Sequence, residues 1–236
     1  MRLPARNESE RVLFALAATA ETKDAYSLTH PKRVANTAVH IGRRLGLSDP
    51  DLLALYRGGL THDIGKIFVA DAVLGKPGPL SAEEERQMRE HPAIGERIFK
   101  YLRSAADILP IIRHHHERFD GGGYPDGLSG HQIPLLARIV SVSDAHDALS
   151  SDRPYRARRS HADVVETLMR GAGQQWDREL VSVFLSELDA LRFELVALPE
   201  VSHIPASWAP PGYGWSGLRI MTPRTNAPSS PHAAMR

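Results

Sequence analysis

Seven side chains in this sequence could hold metal ions: His30, His62, Asp63, His91, His115, His116 and Asp144. All are imidazoles or carboxylates, and none has a thiol alternative, because the 236 residues include no cysteine. That excludes disulfides, thiolate nucleophiles and Cys-ligated zinc together. A His and Asp set of this kind suits iron, manganese or a similar ion. One ion takes four to six ligands, so seven, with one carboxylate able to bridge, fit two ions. A pair of ions at about 3.5–4 Å can clamp the entering and leaving oxygens of a phosphoryl group and bring the pKa of water to about 7. Lys66, one turn beyond His62, is placed to reach a substrate phosphate.

Helical geometry decides which of these side chains point inward. Successive residues on a helix turn by about 100°. On a helix through Ile108, Ile111 and Ile112, His115 and His116 flank the apolar stripe and His114 falls on the far side, toward solvent. Two adjacent buried imidazoles repel if protonated and lose hydration if not, and metal binding as neutral ligands relieves both costs. A helix from Leu52 through Lys66 puts Asp63 and Lys66 in line with the apolar Leu52 and Tyr56. Such a charged pair needs a partner, and an internal Asp–Lys ion pair is the purely structural alternative. Asp144 and Asp147 face inward beside Ile139 and Val140, and Asp147 is expected to bond neighbouring backbone. His30 and His91 each precede a proline, Pro31 and Pro92, which places them at helix entrances.

The elements that must bring these positions together read as helices throughout, with no convincing period-two strand. Val34, Ala38, Ile41 and Leu45 share one helical face that ends at Gly46. The segment Lys76–Pro79 (KPGP) breaks the chain, and Ser81 with Glu84 forms a capping box for the next helix. Further helices are expected around Leu136–Leu149 and His161–Met169. Asp177–Phe184 reads as the last core helix, followed by a weaker element at Leu191–Leu198. Val12–Ala20 reads as a first amphipathic helix of a cytoplasmic protein rather than a secretory leader, because Glu8 and Glu10 interrupt the basic flank. After about Val201, prolines mixed with Gly, Ser and Ala indicate an extended or disordered tail. The division is a domain over residues 1–200 and a tail over 201–236. Net charge is only +1, so there is no basic field for DNA or a membrane surface. No run approaches the eighteen apolar residues of a membrane span.

Longer motifs carry a family resemblance. Thr61–Lys66 (THDIGK), His91-Pro92, His115–Gly130 (HHERFDGGGYPDGLSG) and Ile133–Arg156 (IPLLARIVSVSDAHDALSSDRPYR) resemble an HD-GYP domain, a branch of the HD phosphohydrolases. The resemblance runs from about Tyr26 to Phe184. It implies an all-α, HD-type helical bundle with a GYP-loop insertion and a metal-dependent phosphodiesterase. The family's usual activity converts cyclic di-GMP to the linear dinucleotide, and in some members on to GMP. By the matched motifs, His30, His62, Asp63 and Asp144 look like ligands of one ion, Fe or Mn in the family's usual usage. His91, His115 and His116 look like ligands of the second, with Asp63 bridging and a bridging hydroxide as nucleophile. Lys66, Arg153 and Arg156 look like phosphate contacts. Gly123-Tyr124-Pro125 is the namesake turn, a wall of the site and an expected docking surface for diguanylate-cyclase-type domains.

Departures from the family pattern also carry information. Members with a third metal have a glutamate where this chain has Tyr26, so two ions are expected. His146 stands where an aromatic is usual and is read as filling that place. The Gly121–Gly123 run lacks the Gly-Lys-Ser/Thr of a phosphate loop and is read as supplying positive-φ turns. His40, His131, His161, His203 and His232 are read as surface residues, and Arg158 and Arg159 as a solvated helix end. Three other readings stay open: hydrolysis of another cyclic dinucleotide or nucleotide, a weakly active cyclic-dinucleotide-binding signalling module, and a di-iron oxygenase.

Overall fold

The computed structural model describes residues 29–152 and 157–196. The amphipathic segment at 12–20, Tyr26, Arg153, Arg156 and the tail after residue 200 lie outside the described residues. Within them the chain is helical, with no β-strand and one isolated bridge between Ala172 and Trp176. We number the helices α1 His30–Arg44, α2 Asp49–Thr61, α3 Asp71–Leu74, α4 Ala82–Arg89, α5 His91–Phe99, α6 Leu109–His114, α7 Leu135–Ser150, α8 His161–Gly171 and α9 Arg178–Val196. Short 3₁₀ turns occupy Ile64–Phe68, Arg103–Ala105 and Gly130–Gln132.

Local sequence explains where these helices begin and end. Ser48 caps α2 and Ser160 caps α8, each accepting a hydrogen bond from the backbone N–H three residues on. Ser81 and Glu84 form the expected reciprocal capping box at α4. Pro31, Pro50, Pro92 and Pro110 all sit in first turns, where a missing N–H leaves no helical bond unmade.

The core is the common face of α1, α2, α6 and α7. Helix α1 packs on α2, α7 and α9, while α2 also packs on α6 and α7. Val34, Ala35, Ala38, Leu55, Ile111, Ile112, Ala137 and Val140 are fully enclosed there. Each large aliphatic side chain so buried contributes about 1.5–3 kcal/mol. Helix α5 packs on α6 and on the 3₁₀ turn that follows α2. That second layer turns the His62-Asp63 segment toward the starts of α1 and α5 and the end of α6.

Three expectations about the elements are corrected. The helix expected to run from Leu52 to Lys66 stops at Thr61, with His62 as its C-cap and a 3₁₀ turn from Ile64. The helix leading to the histidine run ends at His114, so His115 is a cap residue and His116 lies in the following turn. The last core helix and the weaker element after it are one continuous helix, α9.

Candidate metal centre

Six of the seven candidate ligands sit at element ends. His30 and His91 open α1 and α5, His62 and His115 cap α2 and α6, Asp63 and His116 follow directly, and Asp144 alone comes from mid-helix, in α7. These ends meet because α1 packs on α2 and α7, and α5 packs on α6 and on the turn that follows α2. Asp63 has φ −94° and ψ 5°, in the bridge region where the chain leaves one helical path for another. Its direction is therefore set by this turn and not by the periodicity of α2. His62, which the helical reading put to one side of the buried stripe, is fully enclosed.

Close approach of the backbone makes the arrangement possible. A Cβ on Gly65 would stand 1.9 Å from the carbonyl oxygen of His91. Only glycine lets the turn after Asp63 lie against the first turn of α5.

The ligand atoms form two groups, each with donor atoms within 4.8 Å of one another: Asp63, His91, His115 and His116 in one, His30, His62 and Asp144 in the other. Asp63 lies between them. Its Oδ1 is 3.2 Å from His91 Nε2 and 3.8 Å from His115 Nε2, while its Oδ2 is 3.4 Å from His62 Nε2 and 4.0 Å from His30 Nε2. Asp144 Oδ1 is 3.3 Å from His30 Nε2 and 4.0 Å from His62 Nε2.

The outer ring nitrogens fix the protonation of the inner ones. Nδ1 of His62, His91 and His115 lies 2.8, 2.7 and 2.8 Å from the carbonyl oxygens of Gly59, Met88 and Ile112. A carbonyl only accepts, so each Nδ1 carries the proton and each Nε2 presents a lone pair. Burial depresses the pKa of His62, His91, His115 and His116 in spite of the nearby carboxylates, which keeps them neutral. Burial alone would push Asp63 up, but Lys66 and the surrounding histidines hold it well below the usual carboxylate range. Lone pairs and carboxylate oxygens thus point at common centres, and His62 Nε2 and Asp63 Oδ1 are buried without a hydrogen-bond partner. Such a donor set is costly unless a cation occupies its focus. The residues therefore fit a metal centre.

His30 differs from the other four. Burial works against its charge, yet contacts with Asp144 and Asp147 outweigh burial and raise its pKa to about 9. Its Nδ1 donates to Asp147 Oδ2 at 2.7 Å, and Arg33 bonds both oxygens of the same carboxylate. Asp147 was expected to bond backbone; it instead orients His30 from behind, as outer carboxylates commonly do for metal-ligating histidines. An inward-facing acid three residues after Asp144 was the signal for this role.

Lys66 Nζ donates to Asp63 Oδ2 at 2.6 Å, so the ion pair expected from the sequence exists at the edge of the centre. Tyr124 stacks on His116, with ring centres 5.0 Å apart, and its backbone N–H donates to the His116 carbonyl. The namesake turn thus covers the centre on one side. Glu117, not singled out in the sequence, is buried and accepts backbone N–H bonds from Asp126 at 2.7 Å and Leu128 at 3.1 Å, which folds the loop back on itself. Of the glycine run only Gly121 has positive φ. Gly123 is required for a different reason, since a Cβ there would strike the Arg118 nitrogen at 2.3 Å.

The remaining histidines divide. His114 does not face open solvent as expected but is half-buried, its Nδ1 3.4 Å from Asp126 and 3.8 Å from Glu117. His40 is not a plain surface residue either, because it joins α1 to α9 through Glu187 at 3.1 Å. His131 and His161 are exposed. His146 is buried and packs on Phe184, ring centres 5.0 Å apart. Arg158 and Arg159 are exposed ahead of α8, while His203 and His232 lie outside the described residues.

Comparison with known proteins places this centre in context. A family model described as an HD domain matches residues 15–180. The chain is 35% identical over 193 residues to a 3'3'-cGAMP-specific phosphodiesterase of Vibrio cholerae, covering 82% of this chain and 42% of the relative. It is 38% identical over 166 residues to a cyclic di-GMP phosphodiesterase of Pseudomonas aeruginosa, covering 70% of this chain and 40% of that protein. The chain thus spans less than half the length of these curated relatives. Among solved structures, a cyclic GMP-AMP specific phosphodiesterase of V. cholerae shares the fold with a TM-score of 0.62 at 19% identity, over 80% of this chain and 51% of that one. The chain belongs to the HD domain family and, by the relatives it matches and the Gly-Tyr-Pro turn seated on its histidine cluster, to the HD-GYP branch of that family.

Proposed function

We propose that this chain is a metal-dependent phosphodiesterase that opens cyclic di-GMP to the linear dinucleotide. The observation that carries this reading is the inward convergence of histidine Nε2 atoms from separate helices on Asp63 and Asp144. His30, His62, Asp63 and Asp144 would hold one divalent ion and His91, His115 and His116 the other, with Asp63 shared. Iron or manganese suits this hard and imidazole-rich set. When bound, the ions supply Lewis acidity and water of near-neutral pKa.

The chain's own groups do the rest. Asp63 holds the Lys66 ammonium at the edge of the centre, where it offsets charge that grows on the phosphoryl oxygens as the 3′ oxygen departs. Arg153 and Arg156, by their motif, would clasp the phosphates. Tyr124 walls the site and shields it from bulk water. No helix among the described residues is long and apolar enough to cross a membrane. A second reading, a mixed guanine–adenine cyclic dinucleotide as substrate, is favoured by the 35% identical relative named for that specificity.

The test is product analysis by chromatography with purified chain, iron or manganese, and cyclic di-GMP, 3'3'-cGAMP or cyclic di-AMP, with Asp63→Ala as the control. Formation of the linear product from cyclic di-GMP by the native chain, with loss of bound metal and turnover together in Asp63→Ala, supports the reading. A metal-loaded native chain that opens none of the three would overturn it.

A further inference from the structure

Tyr124 has a second neighbour besides His116. The guanidinium carbon of Arg89 sits 5.3 Å from the centre of its ring. Arg89 ends α4, two residues before His91, whose Nδ1 proton is held by the adjoining Met88 carbonyl. The arginine is thus anchored at both ends of its reach: by backbone continuous with a candidate ligand, and by a ring stacked on another. Glu85, one turn earlier on the same face, accepts from Arg89 Nε at 3.1 Å and from Nη2 at 2.5 Å, both through Oε1. Glu85 Oε2 and Arg89 Nη1 take no part in these bonds. The Glu85–Arg89 pair and the metal centre therefore flank one aromatic ring.

We infer that Glu85 and Arg89 together read a guanine base of the cyclic dinucleotide. The inference rests on the proposed activity and deepens it. The pair sets a carboxylate oxygen, which accepts, beside guanidinium N–H groups, which donate. Guanine offers the complement along one edge, N1–H and N2–H as donors and O6 as acceptor. Adenine presents an acceptor N1 and a donor N6, so both contacts would be reversed. Glu85 also cancels much of the Arg89 charge, which makes the pair a poorer partner for a phosphate and leaves a neutral base edge as the better match. Both side chains are about half-exposed, so their mutual ion pair is weakly held and can be shared with a ligand. A site built to hydrogen-bond a substrate rejects analogues that leave its groups unpaired.

The experiment measures kcat and KM for cyclic di-GMP, 3'3'-cGAMP and cyclic di-AMP with the metal-loaded full chain and with Arg89→Ala, Glu85→Gln and Glu85→Ala. Calorimetric binding of cyclic di-GMP and cyclic di-AMP is run on the same proteins. The expected result is a native preference for guanine-containing substrates that shrinks by roughly ten- to a hundredfold in each variant, carried mainly by KM. Metal content should stay at the native level, which separates base reading from damage to the neighbouring His91. An equal loss on all three substrates would assign Arg89 to phosphate and overturn the inference. So would an unchanged preference, or a native chain that binds cyclic di-AMP as tightly as cyclic di-GMP. If the native chain opens no cyclic dinucleotide, the proposed activity fails, and the binding preference still decides the guanine reading on its own.

Discussion

His91 and His115 direct their Nε2 atoms at each other across 3.3 Å, and neither has a proton there to donate. Each has committed its Nδ1 proton to a backbone carbonyl behind it. Two lone pairs facing each other beside the Asp63 carboxylate make a repulsive arrangement unless a cation lies among them. The carbonyls that hold these rings belong to residues three positions upstream, so local backbone geometry, and not the metal, sets the tautomer. The consequences of that arrangement can be measured.

Asp147 positions His30 and is held in turn by Arg33, with its own pKa lowered by these contacts against the effect of burial. Asp147→Asn should keep the chain folded but weaken metal affinity by roughly ten- to a hundredfold. Competition with a chelator of known affinity, read by metal analysis, checks this. Native affinity in the variant would show that His30 needs no outer carboxylate.

Gly65→Ala should be severe for its size. The added carbon meets the His91 carbonyl oxygen and, at 2.8 Å, the Gly95 nitrogen, both backbone atoms that cannot turn aside. A loss of about 1–3 kcal/mol is expected, or several degrees of melting temperature. Gly75→Ala, at an exposed position where the nearest atom is 3.3 Å away, is the control and should shift melting far less. Calorimetry of the two variants decides between them.

His146 is buried against Phe184, and burial lowers its pKa from the usual 6.5 to about 4 despite Asp147 nearby. The unfolded chain therefore takes up this proton first. Stability contributed by the neutral ring is fully present above pH 6.5 and is lost as the pH falls toward 4, by about 3 kcal/mol at most. His146→Phe should remove that component. The melting temperature of the variant should gain on the native chain below pH 6.5 and run parallel to it above. A constant offset across pH 4–8 would show that His146 does not titrate in this way.

Glu117 ties the loop that carries Tyr124 by accepting two backbone N–H bonds in a buried place. Glu117→Gln exchanges one acceptor for an NH₂ that faces a donor, at about 1–3 kcal/mol. Hydrogen exchange at residues 126 and 128 should quicken markedly, with little change in α1. Unchanged protection at those amides would mean that the loop is held by other contacts.

Much of this molecule was legible in one dimension. Capping residues, first-turn prolines and the apolar periodicity of α1, α2 and α7 marked helices, because helix ends and buried stripes obey local rules. The absence of cysteine and the supply of histidine and aspartate fixed the chemistry any metal centre could have. Tertiary structure decided what local periodicity could not. Extending α2 to Lys66 gave the wrong account of His62, since the chain leaves the helix at Asp63 and a bridge-region turn aims the pair. The helical wheel turns His114 to solvent, but the returning loop brings Asp126 and Glu117 against it. The partnership of Asp147 with His30 joins residues 117 apart in sequence, and no spacing rule reports a contact made only when α1 and α7 pack. Sequence specified which groups were available and which local conformations they preferred; the packing of helix ends against one another determined which of them meet.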